Sequence, residues 1–195
     1  MTPMFDRLAL IGLGLIGSSI ARAARRHGLA RTIVAADASA DVIARVRDLR
    51  ITDEATTDLV AGVKGADCVI LCVPVGANGA VAALIGPHLK PGAIVSDVGS
   101  VKGSVVRDVA PHLPPGVHFV PAHPVAGTEY SGPDAGFATL FENRWSILTP
   151  PPDQDPDAIA AMQRFWEGMG SNVEIMSAQH HDLVLAITSH VPHLI

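Results

Sequence analysis

The feature that most constrains this chain is Gly12-Leu13-Gly14-Leu15-Ile16-Gly17, a G-x-G-x-x-G pattern. It joins an apolar run, Leu8 to Leu13, to a segment of helical periodicity, Gly14 to His27. Each glycine answers a separate steric demand. Gly12 permits the tight turn out of the strand, Gly14 clears the backbone for a pyrophosphate, and Gly17 lets the helix pack close to the strand. The first helical turn, at Leu15 and Ile16, offers free N–H groups and a partial positive charge to phosphate. Asp37 follows Gly17 by twenty residues, at the end of a second apolar run, Thr32 to Asp37. A carboxylate there accepts hydrogen bonds from ribose hydroxyls. Ala38-Ser39-Ala40 come next and supply no cation for a 2′-phosphate, so the expected dinucleotide is NAD rather than NADP.

Beyond this loop, short apolar runs alternate with helix-like segments: Asp41 to Leu49 (helix), Asp67 to Val73 (strand), Ala77 to Leu89 (helix), Ile94 to Asp97 (strand), Lys102 to Leu113 (helix), Val117 to Pro121 (strand). This alternation predicts an α/β, Rossmann-type doubly wound fold, a mostly parallel sheet with helices on both faces. Asp67 to Val73 is apolar on both faces and should be central. Val73 and Pro74, at its carboxyl end, should line the cofactor. A loop from Ala122 to about Ala138 follows, then a strand at Trp145 to Thr149, a helix at Asp157 to Met169 and a short strand at Val173 to Ile175. Ser177 is a good N-cap for a final helix that Pro192 should kink. The expected organisation is a dinucleotide-binding domain over 1–176, with 177–195 starting a linking helix that continues beyond this chain.

Composition narrows the function classes. The net charge is −5, no basic stripe stands out, and only 4% of residues are aromatic, which excludes nucleic acid as an expected partner. Cys68 and Cys72 lie in one apolar run, as core residues suited to a reducing cytoplasm rather than a disulfide framework. The apolar stretch Leu8 to Ile20 is broken by glycines and preceded by Asp6 beside Arg7, so it reads as strand and turn, not as a signal peptide. No segment is long and apolar enough to suggest a membrane span.

Two positions carry the expected chemistry. Ser100 sits just past the strand Ile94 to Asp97, within reach of a nicotinamide and a substrate hydroxyl. His123 opens the Gly-rich loop beyond a strand's carboxyl end, and alcohol oxidation needs a base near neutral pKa for the hydroxyl proton. Lys102 is either a charge for substrate or a helix-start residue. His180 and His181 read as solvated or capping. His190 and His193 share a helical face, which suits a substrate surface or a metal site lacking a clean third ligand, and no metal is expected.

Together these residues resemble the prephenate/arogenate (cyclohexadienyl) dehydrogenase family. The resemblance is carried by GLGLIGSS at Gly12 to Ser19, DVGSVKG at Asp97 to Gly103, HPVAGTEYSG at His123 to Gly132, FENRWSILTP at Phe141 to Pro150 and SHVPH at Ser189 to His193. It implies oxidative decarboxylation of a cyclohexadienol with NAD+ in tyrosine biosynthesis. His123 would accept the hydroxyl proton and Ser100 would hold that hydroxyl. Thr128, Glu129, His190 and His193 would line the pocket for prephenate or arogenate. The family also implies a homodimer, made through a helical domain absent from this chain that supplies an arginine for a substrate carboxylate. Competing expectations are a β-hydroxyacid dehydrogenase, whose catalytic lysine on a later helix finds no counterpart after Lys102, and a non-catalytic NAD-binding module.

Overall fold

The computed structural model describes residues 2–187. Six parallel strands form the main sheet: β1 (Phe5–Ile11), β2 (Ala30–Ala36), β3 (Glu54–Thr56), β4 (Cys68–Leu71), β5 (Ile94–Asp97) and β6 (His118–Phe119), in the order β3-β2-β1-β4-β5-β6. The crossovers are α1 (Leu15–Arg26), α2 (Ala40–Leu49), α3 (Leu59–Val63), α4 (Asn78–Ile85) and α5 (Lys102–Val109). This is the doubly wound Rossmann arrangement the alternation predicts.

The side-chain period of two divides the core between the sheet faces. Leu8, Leu10, Cys68 and Ile70 meet one apolar cluster, completed by Ile20 of α1, Ile43 of α2, and Met162, Phe165 and Trp166 of α6 (Pro156–Gly168). Ala9, Ile11, Val69 and Leu71 meet the other, with Val63 of α3, Ile85 of α4 and Val105 of α5. Both faces of β1 and β4 are therefore apolar, which accounts for their near-continuous hydrophobic sequence.

The sheet does not continue as one body. A second, three-stranded sheet, β7 (Ala122–Pro124), β8 (Trp145–Leu148) and β9 (Asn172–Ile175), follows β6; β7–β8 pair antiparallel and β8–β9 parallel. The expected loop from Ala122 is thus corrected: its first three residues are a strand, and His123 pairs with Ile147 inside it. β3 and α3 are additional to the expected elements. The polar stretch around Glu54 makes β3 a short edge strand with no alternation to reveal it.

The last described helix, α7 (Ala178–Leu185), is capped by Ser177, whose Oγ accepts from His180 N. It packs against α5, where Asp182 accepts from the N–H groups of Lys102 at 2.8 Å and Gly103 at 2.8 Å. Ser189, His190, Pro192 and His193 lie outside the described residues.

Candidate active site

Two cavities open at the carboxyl ends of the parallel strands. The larger, about 620 Å³, lies where strand order reverses between β1 and β4. Gly12, Gly14, Leu15, Ile16, Asp37, Val73 and Pro74 all line it, so the chain-local expectations converge on one site. Gly12 adopts φ +91°, and a Cβ there would sit 2.7 Å from the Cys72 carbonyl oxygen. A Cβ at Gly17 would collide with the Gly12 carbonyl, so Gly17 serves the helix–strand contact. A Cβ at Gly14 would meet nothing within 4 Å, because it would project into the open cradle above the helix N-terminus. That is space a pyrophosphate requires.

Asp37 braces the same loop. Its Oδ2 accepts from Leu13 N at 2.9 Å and its Oδ1 from Ser39 N at 2.9 Å. Arg45, the first cation of α2, is paired with Asp134 through its Nε and Nη2. Cys72 touches the cavity while Cys68 is fully buried against Met162; burial pushes both thiols well above their ordinary range.

The second cavity, about 370 Å³, is lined by Ser100, His123, Pro124 through Gly127, Arg144 and Leu185. Ser100 thus joins His123 here rather than the glycine-loop cavity. Thr128 and Glu129 are exposed and lie outside it; Thr128 lines a separate depression with Tyr130 and Phe137.

His181 departs most from expectation. It is fully buried, neither solvated nor capping, and its Nε2 lies 2.8 Å from His123 Nδ1. Its Nδ1 lies 2.8 Å from Asp182 Oδ1. A carboxylate only accepts, so a neutral His181 donates its Nδ1–H to Asp182 and has Nε2 left as acceptor, and His123 Nδ1–H then donates to His181. This order leaves His123 Nε2 without a proton, the tautomer a base requires. Burial, the neighbouring His181 and the charge of Lys102 push His123 down to about 4, with Asp182 opposing; the imidazole is neutral at physiological pH, but its pKa lies well below the near-neutral value expected from the sequence. Burial works against the charge of Asp182, but hydrogen bonds from Lys102, Gly103 and His181 outweigh it and hold the carboxyl below its usual range. A signal for His181 was present: four residues past the Ser177 cap, it shares a helical face with Leu185, which also reaches the cavity.

Lys102 proves to be a helix-start residue rather than a charge for substrate. Its side chain is fully buried, and its ammonium donates to Asp97 Oδ2 at 2.5 Å and to the Ala122 carbonyl at 2.6 Å. Asp97 in turn accepts from Gly99 N at 2.7 Å and Ala122 N at 3.3 Å. One buried ion pair thereby fixes the turn carrying Ser100 and the strand carrying His123. Among the described residues, no cluster of three or more His, Cys, Asp or Glu side chains could hold a metal ion.

The family described as prephenate dehydrogenase, nucleotide-binding domain, matches residues 20–175. The chain belongs to this family. A cyclohexadienyl dehydrogenase of Zymomonas mobilis is 48% identical over 192 residues, taking in 98% of this chain and 65% of that protein. The crystal structure of prephenate dehydrogenase from A. aeolicus in complex with hydroxyphenyl propionate and NAD+ aligns with a TM-score of 0.89 at 35% identity, covering 97% of this chain and 66% of that one. Synechocystis arogenate dehydrogenase aligns at 0.90 with 30% identity, covering 97% of this chain and 66% of that one. The chain therefore spans just under two thirds of the length of these three relatives, and about half of the prephenate dehydrogenase of Bacillus subtilis. Family membership agrees with a nucleotide-binding domain whose glycine-loop cavity opens at the reversal of strand order.

Proposed function

We propose that the protein to which this chain belongs is an NAD-dependent dehydrogenase acting on prephenate, arogenate or both, in tyrosine biosynthesis. The observation that carries the reading is the His123–His181–Asp182 chain at a cavity that His123 shares with Ser100, an arrangement that supports His123 Nε2 as the proton acceptor. NAD+ would supply the two-electron acceptor for hydride from the ring carbon bearing the hydroxyl. Gly14 and the first turn of α1 would bind its pyrophosphate, and Asp37 its ribose hydroxyls. His123 Nε2 would accept the substrate hydroxyl proton, and Asp182, through His181, would stabilise the resulting imidazolium. The Ser100 hydroxyl would orient the reacting oxygen. Loss of the ring carboxylate as carbon dioxide then gives the aromatic product.

Thr128, Glu129, His190 and His193 belong to this proposal only through the family resemblance, as do the homodimer, the helical continuation and a cytoplasmic location. Among the described residues, no helix is long and apolar enough to cross a membrane.

The test is NADH formation by the full-length protein with prephenate and with arogenate, alongside the His123→Asn variant. We expect the variant to lose turnover by about a hundredfold or more while its affinity for NAD+ is kept. Normal turnover by His123→Asn would remove it as the base; a folded wild type inactive on both substrates would overturn the activity itself.

A further inference from the structure

Past β7 the chain leaves the His123 cavity and crosses to α1 and α2 as one strap, residues 126–137. Ala126 and Gly127, at its near end, line that cavity. Its far end is fastened to the two helices that follow the glycine loop and Asp37. Phe137 N donates to Ser19 Oγ of α1 at 3.1 Å, and Gly136 lies so close to α1 that a Cβ there would collide with Ser18 Oγ. Asp134 grips Arg45 of α2 as a fork, with Nε 2.9 Å from Oδ2 and Nη2 2.5 Å from Oδ1. Between these ends, residues 127–131 are exposed. Their one hydrogen bond among the described residues is internal, from Tyr130 N to Thr128 Oγ1 at 3.2 Å. A segment so free in its middle is positioned by its ends.

The other parts of the site are held without the strap. His123 is fixed by the β7–β8 pairing and by His181, and the turn of Ser100 by Asp97 and Lys102. Helix α1 keeps its place through Ile20, Ala21, Ala23 and Ala24, all fully buried. Loosening the far end of the strap therefore shifts one wall of the His123 cavity and leaves His123, Ser100 and the glycine loop where they are.

Resting on the proposed activity, we infer that Asp134 and Ser19 are positioning residues: they fasten the strap to the cofactor-side helices and so hold Ala126 and Gly127 in their substrate-binding position. Exposed ion pairs contribute little in general, but a forked arginine–carboxylate pair is the geometry in which they count. A wall that meets the substrate equally before and during hydride transfer contributes uniform binding. Such binding lowers KM and leaves kcat unchanged.

The experiment uses the full-length protein. Asp134→Asn should raise KM for prephenate or arogenate about threefold, the scale of a well-formed exposed pair, with kcat and the KM for NAD+ unchanged. Ser19→Ala should act in the same direction by about threefold, the scale of one hydrogen bond. Asp134→Glu should restore KM. In an Arg45→Gln background Asp134→Asn should add nothing, because the two residues act as a pair. A second readout needs no turnover. Tyr130 is 68% exposed at the middle of the strap, and chymotrypsin should cleave after it several-fold faster in the double variant Ser19→Ala/Asp134→Asn than in wild type. Unchanged cleavage overturns the tether. Faster cleavage with an unchanged KM, or with kcat and the KM for NAD+ altered as much as the substrate KM, overturns the positioning role alone. A folded wild type without turnover on either substrate overturns the activity and the strap's part in substrate binding with it.

Discussion

Replacing Lys102 with Met tests whether the site is organised by the buried Asp97–Lys102 pair. Methionine keeps the apolar stem and removes the ammonium, so packing is disturbed little while Asp97 loses its counter-charge. Both side chains are fully buried, and the ammonium makes two hydrogen bonds, to Asp97 Oδ2 and to the Ala122 carbonyl. Breaking a buried pair by removing one member costs about 3–5 kcal/mol, because the remaining charge is stranded. With a urea m-value of about 2 kcal/mol/M, the denaturation midpoint should fall by about 1.5–2.5 M. Two features separate this from a packing defect. Burial already pushes Asp97 up, and Lys102 is the principal influence opposing it. Without Lys102 the folded-state pKa lies further above the unfolded value, so the folded state binds the extra proton as pH falls and the destabilisation should shrink from pH 7.5 to 5.5. Asp97→Asn added to Lys102→Met should recover more than about 1 kcal/mol, since no charge is then left buried. A midpoint shift worth less than about 1 kcal/mol, or a cost that does not change with pH, would refute the reasoning.

Asp37→Ala should weaken NAD+ by about tenfold and leave NADP+ unchanged or improved if, as proposed, Asp37 accepts from ribose hydroxyls and repels a 2′-phosphate. Asp37→Asn, able to accept from Leu13 N as the native carboxylate does, separates the effect from loosening of the loop, and an unchanged NAD+/NADP+ ratio in both variants would sink the assignment. His123 predicts a pH dependence of stability. Its pKa is about 4 in the folded state against an ordinary 6.5, so between these values the unfolded chain binds more protons and stability falls as pH falls. Between pH 7.5 and pH 5 this contribution is on the order of 1–2 kcal/mol. Urea titrations of wild type and His123→Gln should differ by that amount in their pH slope; parallel slopes would show that the imidazole is not buried in its neutral form.

What was legible in the sequence was local. The glycine loop, Asp37, Val73 and Pro74 are each read within a single strand–turn–helix unit, and the structure gathers them around one cavity. The second sheet was not legible as such. β7 is three residues long, contains a proline and shows no period, so Ala122–Pro124 reads as loop until β8 is there to pair with it. His181 and Arg144 are each placed by contacts across the fold. The His123–His181 contact spans 58 residues of sequence, and the face of α7 that turns inward depends on how Asp182 docks onto α5. Lys102 could not be assigned because a helix-start lysine and a substrate-facing lysine look alike until the Ala122 carbonyl is seen to lie within 2.6 Å.

The cost of the buried pair makes sense only in terms of what it holds. A well-packed apolar pair of similar volume is often as stable as a buried ion pair or more so. Such a pair could not accept from Gly99 N and Ala122 N or donate to the Ala122 carbonyl. Those bonds tie the turn after β5 to the start of β7, at the point where one sheet ends and the other begins. The main-chain N–H groups of Lys102 and Gly103 extend the tie to Asp182, and through it to His181 and His123. Three segments distant in sequence therefore meet around one lysine, with its ammonium orienting the strand that carries His123 and its backbone orienting the carboxylate behind His181. On this reasoning, an apolar replacement of the pair can preserve the fold while letting Ser100 and His123 drift relative to each other, and stability and turnover are separable properties at this site.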